Sequence, residues 1–534
     1  MAEAALEADV LIIGAGASGG VTARELAANG IDVLCLEQGE WPDPDKFVGR
    51  REDWEVLAEK RWSPNPNDRL LEADYPINVD ECPMRPMLYN AVGGSTVLWT
   101  ALWHRLTPAD FRVRSMDGVG NDWPISYDEL APFYDRAEAD MGLSGLDGDP
   151  AWPDHAPYPL PPLPIGKLGT RFGAAMNRKG WHWWPGSNAI PSRAYKGRNA
   201  CVRRGTCMVG CPENAKAATN LTHWPEAIEL GARLITGARV REVTVDAQGL
   251  ATGAIYIDRS GEEHRVRANV VVLCCNGVGT ARLMLLSRSA RFPDGLANSS
   301  GLVGRGLMLH PTGSVVAAFD EPMDSWTGPF GQLVYSMQFY NSDPSRGFVR
   351  GSKWSLSPHG GPLSFAMGMG HGADLQAGVA AAFNRAAFLT VFCEDLPEDH
   401  NRVELDEELT DSDGLPAPKL IYTVSENSRK LLEFNVARAC EAMTEMGANA
   451  TWPMVVNPDC GGAHLLGSAR MGDDPARSVV DRWGRTHDVP NLYIFDGSIF
   501  PSSGAVNPTG TICALAQRGA EQLVRERRSQ RTPT

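Results

Sequence analysis

The sequence predicts an α/β protein in two parts, one built on a parallel sheet and the other on an antiparallel sheet. Three observations carry that prediction. An apolar run enters a glycine-rich turn near the start of the chain, βα-type patterning returns at 233–275, and alternating apolar and polar runs fill 312–455. The first part is therefore discontinuous, taking residues 1–110, 200–311 and 456–534, and the second takes 111–199 and 312–455. A chain of 534 residues exceeds what one hydrophobic core organises, and 43% hydrophobic residues suffice for a folded interior.

The opening motif has a physical reading at each position. Asp9-Val-Leu-Ile-Ile-Gly14-Ala-Gly16-Ala17-Ser18-Gly19-Gly20 reads as buried strand, tight turn and helix start, and Asp32-Val-Leu-Cys-Leu-Glu37 as a second strand ending in an acid. Gly14 permits the turn, Gly16 lets backbone approach a pyrophosphate, and Gly19 lets helix pack on strand. The helix opened by Ala17 and Ser18 offers free N–H groups and a positive dipole end. Glu37 would accept from a ribose hydroxyl. This is a Rossmann-like dinucleotide cradle.

After it, the Pro- and charge-rich stretch 40–75 reads as loops with short helices. Gly93-Gly94-Ser95-Thr96 suits a backbone pressed against a flat ligand, a tight turn being the alternative. Ser126, with Glu129 three residues on, starts a helix that runs to Met141. Residues 147–165, rich in proline, form extended linker. Trp181-His-Trp-Trp184 packs a core in preference to stacking on a ligand. Buried strands follow at 269–275 and 491–496. A closing helix over 511–528 ends the fold, and the arginine-rich tail beyond it frays.

The net charge of −15 argues against nucleic acid as a partner. No run approaches eighteen apolar residues, so no membrane segment is expected, and the acidic start lacks the pattern of an export signal. The expected compartment is cytoplasmic, or periplasmic only if a partner subunit carries the chain there. Eleven cysteines are too sparse for a disulfide framework, and most, such as Cys274 and Cys275, read as buried thiols.

A histidine among small residues, as His464 is in Gly-Gly-Ala-His464-Leu-Leu-Gly, reads by itself as structural. Beside a dinucleotide cradle it reads differently. Oxidising an alcohol requires a base for the hydroxyl proton, and neutral imidazole suits that task, while the amide of Asn507 can donate to the forming alkoxide. His310, before Pro311, and His487, in a polar turn, read as structural or surface residues.

Four blocks in order resemble the glucose-methanol-choline (GMC) flavoprotein oxidoreductases: residues 9–38, Gly93 to Thr96 with Trp99 and Arg105, Cys275 to Leu286, and Gly461 to Leu523. The likeness spans essentially the whole chain. It implies an FAD-binding Rossmann-like domain of the GMC and p-hydroxybenzoate hydroxylase type, with an antiparallel-sheet substrate domain. It also implies FAD in the cradle, Gly93 to Thr96 beside the flavin, and Val240 near the adenine. Asp496 and Gly497 would lie near the pyrophosphate and ribityl end, His464 and Asn507 would face the flavin ring, and Thr509 and His104 would lie near the cofactor. Ser468 departs from the commoner threonine. The implied reaction is FAD-dependent oxidation of a CH–OH group of a sugar, glycoside or polyol, with an oxygen-using oxidase and a non-catalytic flavin electron carrier as alternatives.

Cys201-Val-Arg-Arg-Gly-Thr-Cys207-Met-Val-Gly-Cys211-Pro212 resembles iron–sulfur ligation in bacterial FAD-dependent sugar dehydrogenases. Three thiolates suit a [3Fe-4S] cluster that passes electrons to a cytochrome-type acceptor, with a small subunit as a further partner. A zinc site with a fourth ligand, a local disulfide and empty thiols are the alternatives.

Overall fold

A computed structural model describes residues 6–58, 60–367 and 371–531. The first sheet runs in the order Arg233–Ile235, Val33–Leu36, Leu6–Ile13, Glu263–Leu273, Ala251–Ile257 and Arg239–Val245. The pairs among the first four strands are parallel. Beyond its pairing with Leu6–Ile13, Glu263–Leu273 is long enough to serve two further partners: its first half pairs with Ala251–Ile257, and its last three residues pair in parallel with Leu492–Ile494.

Strand geometry explains the apolar runs that predicted this sheet. Alternate side chains point to opposite faces, so a strand buried on both sides must be apolar throughout. Leu11, Ile13, Leu34, Val271 and Leu273 feed one core, and Val10, Ile12, Val33, Cys35 and Val272 feed another. Helices Ala17–Ala28 and Thr509–Arg531 cover the second face through residues such as Val21, Leu26, Cys513 and Leu523. Each such buried aliphatic side chain contributes on the order of 1.5–3 kcal/mol.

The second sheet is antiparallel, in the order Ala450–Met454, Thr312–Ala318, Ala386–Cys393, Ser352–Ser357, Val334–Ser336, Trp184–Pro185. Helices Glu426–Glu445 and Gly166–Lys179 share its apolar core, against which Trp181 and Trp183 pack. A small third sheet joins Arg402–Thr410 and Pro416–Ile421 to Asn78–Glu81.

Several contacts run across the boundaries drawn from composition. Helix Tyr127–Met141, opened by a Ser126–Glu129 capping box, places Tyr134 Oη 2.7 Å from Thr511 Oγ1 of the closing helix. Arg282, on helix Asn276–Leu286, donates to the Pro416 carbonyl at 2.8 Å and pairs with Asp411 at 2.6 Å. At one end of the antiparallel sheet, just before strand Ser352–Ser357, buried Arg350 bonds Asp110, Asp117 and Glu394. Tyr340 donates to Asp110 at 2.8 Å and accepts from Ala505 N at 3.1 Å. This network fixes the loop that carries Asn507. Removing one member of such a buried set costs about 3–5 kcal/mol, because the remaining charge is left uncompensated.

The closing helix extends to Arg531, so the tail expected to fray after 528 is helical that far. Residues 532–534 and the acidic start at 1–5 lie outside the described residues. Among the described residues, no helix is long and apolar enough to cross a membrane.

Candidate active site

The parallel strands end at Ile13, Leu36, Leu273 and Ile494, and a cavity opens at that edge, where ligands of open α/β sheets bind. Gly14 turns the chain there with φ +98°, and a β-carbon on it would lie 2.5 Å from the Cys274 carbonyl oxygen. Gly16 is the N-cap of Ala17–Ala28, whose first turn no side chain caps, so its N–H groups are free for an anion. A β-carbon on Gly19 would lie 2.0 Å from the Gly14 carbonyl oxygen, so its lack of a side chain permits the helix to sit on the turn.

Glu37 closes the cradle. Its two oxygens accept from Ala15 N and Gly39 N, both at 2.8 Å, and burial pushes its carboxyl up to about 7. The second glycine block lies directly against the first: a β-carbon on Gly94 would come within 2.8 Å of the Gly16 α-carbon. Gly93 N donates to the Ala15 carbonyl at 2.9 Å. Gly14, Gly16, Ala17, Ser18, Glu37, Gly94, Ser95, Thr96, Val240, Asp496, Gly497, Asn507 and Thr509 all line this one cavity, while Gly19 and Gly93 stand behind its wall. Buried Asp496 accepts from Thr280 Oγ1 at 2.6 Å and from Ser498 N at 2.9 Å, which holds it at the mouth of helix Asn276–Leu286. The cradle thus fits a dinucleotide, with backbone N–H groups for the pyrophosphate and an acid for the ribose.

At the other end of the cavity stand His464 and Asn507, with Asn507 Nδ2 3.3 Å from His464 Nε2. His464 is half-buried and Asn507 buried. Two residues that sequence reasoning passed over complete the group. His310, read as structural or surface, places Nδ1 2.7 Å from His464 Nδ1 and Nε2 2.6 Å from the Gly504 carbonyl oxygen. Lys353 donates to Asn507 Oδ1 at 2.6 Å.

These contacts fix the proton positions. A carbonyl oxygen only accepts, so His310 carries its hydrogen on Nε2. Burial holds His310 down at about 4, so the ring is neutral and its Nδ1 is a lone pair. His464 must then donate from Nδ1, leaving a bare Nε2. Burial first, then His310 and Lys353, push His464 well below the ordinary histidine value, so that nitrogen stays unprotonated.

The other histidines are placed elsewhere. His487 is held by Ser478 Oγ at 2.9 Å. His104, expected near the cofactor, is buried away from the cavity wall, stacked on Trp152 and bonded to Gln332.

The eleven cysteines are free thiols. Cys201, Cys207 and Cys211 are half-buried on one loop, with Arg203 N donating to Cys201 Sγ at 3.3 Å. Lys216 ties that loop to the segment after Gly93-Gly94, donating to the carbonyls of Cys207, Val97 and Trp99 at 2.6, 2.9 and 2.7 Å. Met208, between two of the cysteines, lines the cavity. Among the described residues, the His/Cys/acid trio whose ligand atoms lie within 4.8 Å of one another is Asp258, Glu262 and His264, and the sulfurs of Cys201, Cys207 and Cys211 are not gathered that closely.

Comparison with known proteins agrees with this geometry. The two GMC oxidoreductase family models match residues 8–312 and 397–516. The 2-methyl-1,2-propanediol dehydrogenase of Mycolicibacterium austroafricanum is 41% identical, over 98% of this chain and 96% of that one. The fructose dehydrogenase large subunit of Gluconobacter japonicus is 31% identical, over 98% and 99%. A structure of Aspergillus oryzae formate oxidase superposes with a TM-score of 0.69 at 15% identity, covering 98% of this chain and 99% of that one, which speaks for the fold. Matched by both halves of one family and by relatives end to end, the chain belongs to the GMC oxidoreductases, enzymes that use FAD to oxidise alcohols.

Proposed function

We propose that the protein is a dehydrogenase that oxidises a CH–OH group of a polyol, sugar or glycoside to the carbonyl. The observation that carries this reading is the hydrogen-bond chain from the Gly504 carbonyl through His310 to His464, which leaves His464 Nε2 without a proton at the cavity, with Asn507 Nδ2 3.3 Å from it. That nitrogen takes the hydroxyl proton. Asn507, through its NH2 group, orients the hydroxyl and donates to the oxygen as negative charge develops. When bound, FAD supplies the acceptor for the hydride that leaves the same carbon.

The antiparallel sheet also lines the cavity, with Thr390 between Phe388 and Phe392 on one strand and Ser355 and Ser357 beside them on the next. Hydroxyls between aromatic faces suit a small molecule bearing several hydroxyl groups. The names of the diol and fructose dehydrogenases point to the same class.

The three-cysteine loop supports a [3Fe-4S] cluster as the exit for electrons toward a cytochrome-type acceptor, with a small subunit as a further partner. Its thiols are three, one already receives a backbone N–H, and Met208 brings the loop to the cavity wall. The test is anaerobic flavin bleaching by a panel of diols, polyols, sugars and aryl alcohols, followed by re-oxidation with dyes or air, on protein assayed for iron and acid-labile sulfide. Bleaching by a diol or sugar, re-oxidation by dyes without peroxide, and about three irons per chain are expected. Peroxide formation in air would favour an oxidase, less than about one iron per chain would remove the cluster, and no bleaching at all would overturn the alcohol chemistry.

A further inference from the structure

Lys353 is the group that this chemistry leaves unexplained. It lies on the Ser352–Ser357 strand, is 0% exposed, and among the described residues has no carboxylate partner. A lone ammonium out of water is disfavoured, and burial alone pushes its pKa well down. Such a residue is poor material for stability. Its contacts are few and directed: Asn507 Oδ1 at 2.6 Å, Gln332 Oε1 at 3.2 Å, and the face of Phe392, 4.7 Å from the ring centroid. Gln332 is itself locked, because its Oε1 also accepts from Ser355 Oγ at 2.9 Å and its Nε2 donates to the Ser187 carbonyl at 2.9 Å.

An asparagine carboxamide has two ends of nearly equal shape and opposite hydrogen-bonding sense. Turned one way, Asn507 offers N–H groups to His464 Nε2 and to an alcohol oxygen. Turned the other way, it offers a carbonyl that repels both the lone pair and a forming alkoxide. Lys353 donates to Asn507 Oδ1 whether its amine is charged or neutral. Resting on the roles proposed above for His464 and Asn507, we infer that Lys353 is a positioning residue that fixes the Asn507 carboxamide with its N–H groups toward the reacting hydroxyl.

The test is a double-mutant cycle on the FAD-loaded full chain, read by stopped-flow flavin bleaching with the best substrate of the panel. Lys353→Met should bind FAD normally and slow flavin reduction about tenfold to a hundredfold, the scale of a misplaced catalytic group. In an Asn507→Ala background the same substitution should cost less than about twofold, since the group it positions is gone. A second readout is the acid limb of kcat/KM. The charged or titrating groups that act on His464 are His310 and Lys353. In the pH range where Lys353 is protonated it opposes protonation of His464, so deleting it should move the limb to higher pH. Should Lys353→Met lose FAD, Lys353→Leu, which also lacks a donor, carries the same comparison. An equal loss in both backgrounds, or an unchanged rate in Lys353→Met while Asn507→Ala is slow, would overturn the inference alone. An unchanged rate in Asn507→Ala would instead overturn the reading of the site.

Discussion

The two ends of the cavity are built from different materials. The cradle end is backbone: glycines without side chains, free helix N–H groups, and one acid held by two main-chain donors. The catalytic end is side chain: His464, Asn507, His310 and Lys353 arrive from four distant segments and touch one another through single hydrogen bonds. A backbone site fails when something is added to it. A side-chain site fails when something is taken away.

The largest expected effect tests the first half of that contrast. A β-carbon on Gly16 meets nothing closer than the Gly94 α-carbon at 3.8 Å, so the protein itself tolerates added bulk there. Gly16→Val should fold but lose flavin absorption and all activity, because its methyls occupy space that the pyrophosphate needs. A yellow, active Gly16→Val would break the comparison. At the catalytic end, His464→Ala should keep its colour and lose flavin reduction about 100- to 10,000-fold, the usual share of a general base. Near-normal bleaching in that variant would remove His464 from the chemistry.

The smallest effect is a pH dependence of the cradle. Burial raises the Glu37 carboxyl from about 4.5 to about 7, so in the unliganded protein its stabilising share is present below about 4.5 and is lost as pH rises through about 7. Ribose hydroxyls donate to the ionised form, so FAD affinity should increase over that window, by at most about tenfold per pH unit for one linked proton. Glu37→Gln should flatten the profile, as titration of the apoprotein with FAD would show. A wild-type affinity independent of pH would mean that the acid does not sense the ribose.

The same contrast explains what the sequence made legible. Backbone sites need particular residues in one contiguous stretch, so Gly14, Gly16, Gly19 and Glu37 announce strand, turn, helix and acid together. His464 and Asn507 were readable through family likeness, since each stands in a run of small residues that has no periodicity of its own. Lys353 gave no signal, because in Ser-Lys-Trp-Ser-Leu-Ser a lysine reads as the solvent side of a half-buried strand, whereas that whole strand is buried. Its inward role depends on packing against Phe392 of the neighbouring strand. His310, before Pro311, read as a structural or surface residue, whereas it stands behind His464 and is bonded to it without itself lining the cavity. The parallel pairing of Pro416–Ile421 with Asn78–Glu81 was equally hidden, because register across more than 300 residues is set by tertiary packing and not by local pattern.

The hydrogen-bond chain to His464 begins at the main-chain oxygen of Gly504, an atom that every amino acid carries. Mutational libraries that swap side chains one at a time cannot delete it. They can only displace it: position 504 has φ +60°, and a β-carbon there would lie 2.4 Å from Leu106 Cδ2. Gene-wide scanning would therefore score Gly504 as a folding position, although in the proposed reading its carbonyl sets the tautomer of His464. Replacing that amide with an ester linkage at the following residue, by chemical ligation or nonsense suppression, weakens the carbonyl as an acceptor and also removes the Ala505 N–H that donates to Tyr340, so Tyr340→Phe is the control that isolates the carbonyl's share, a contribution that inheritance by codon cannot vary.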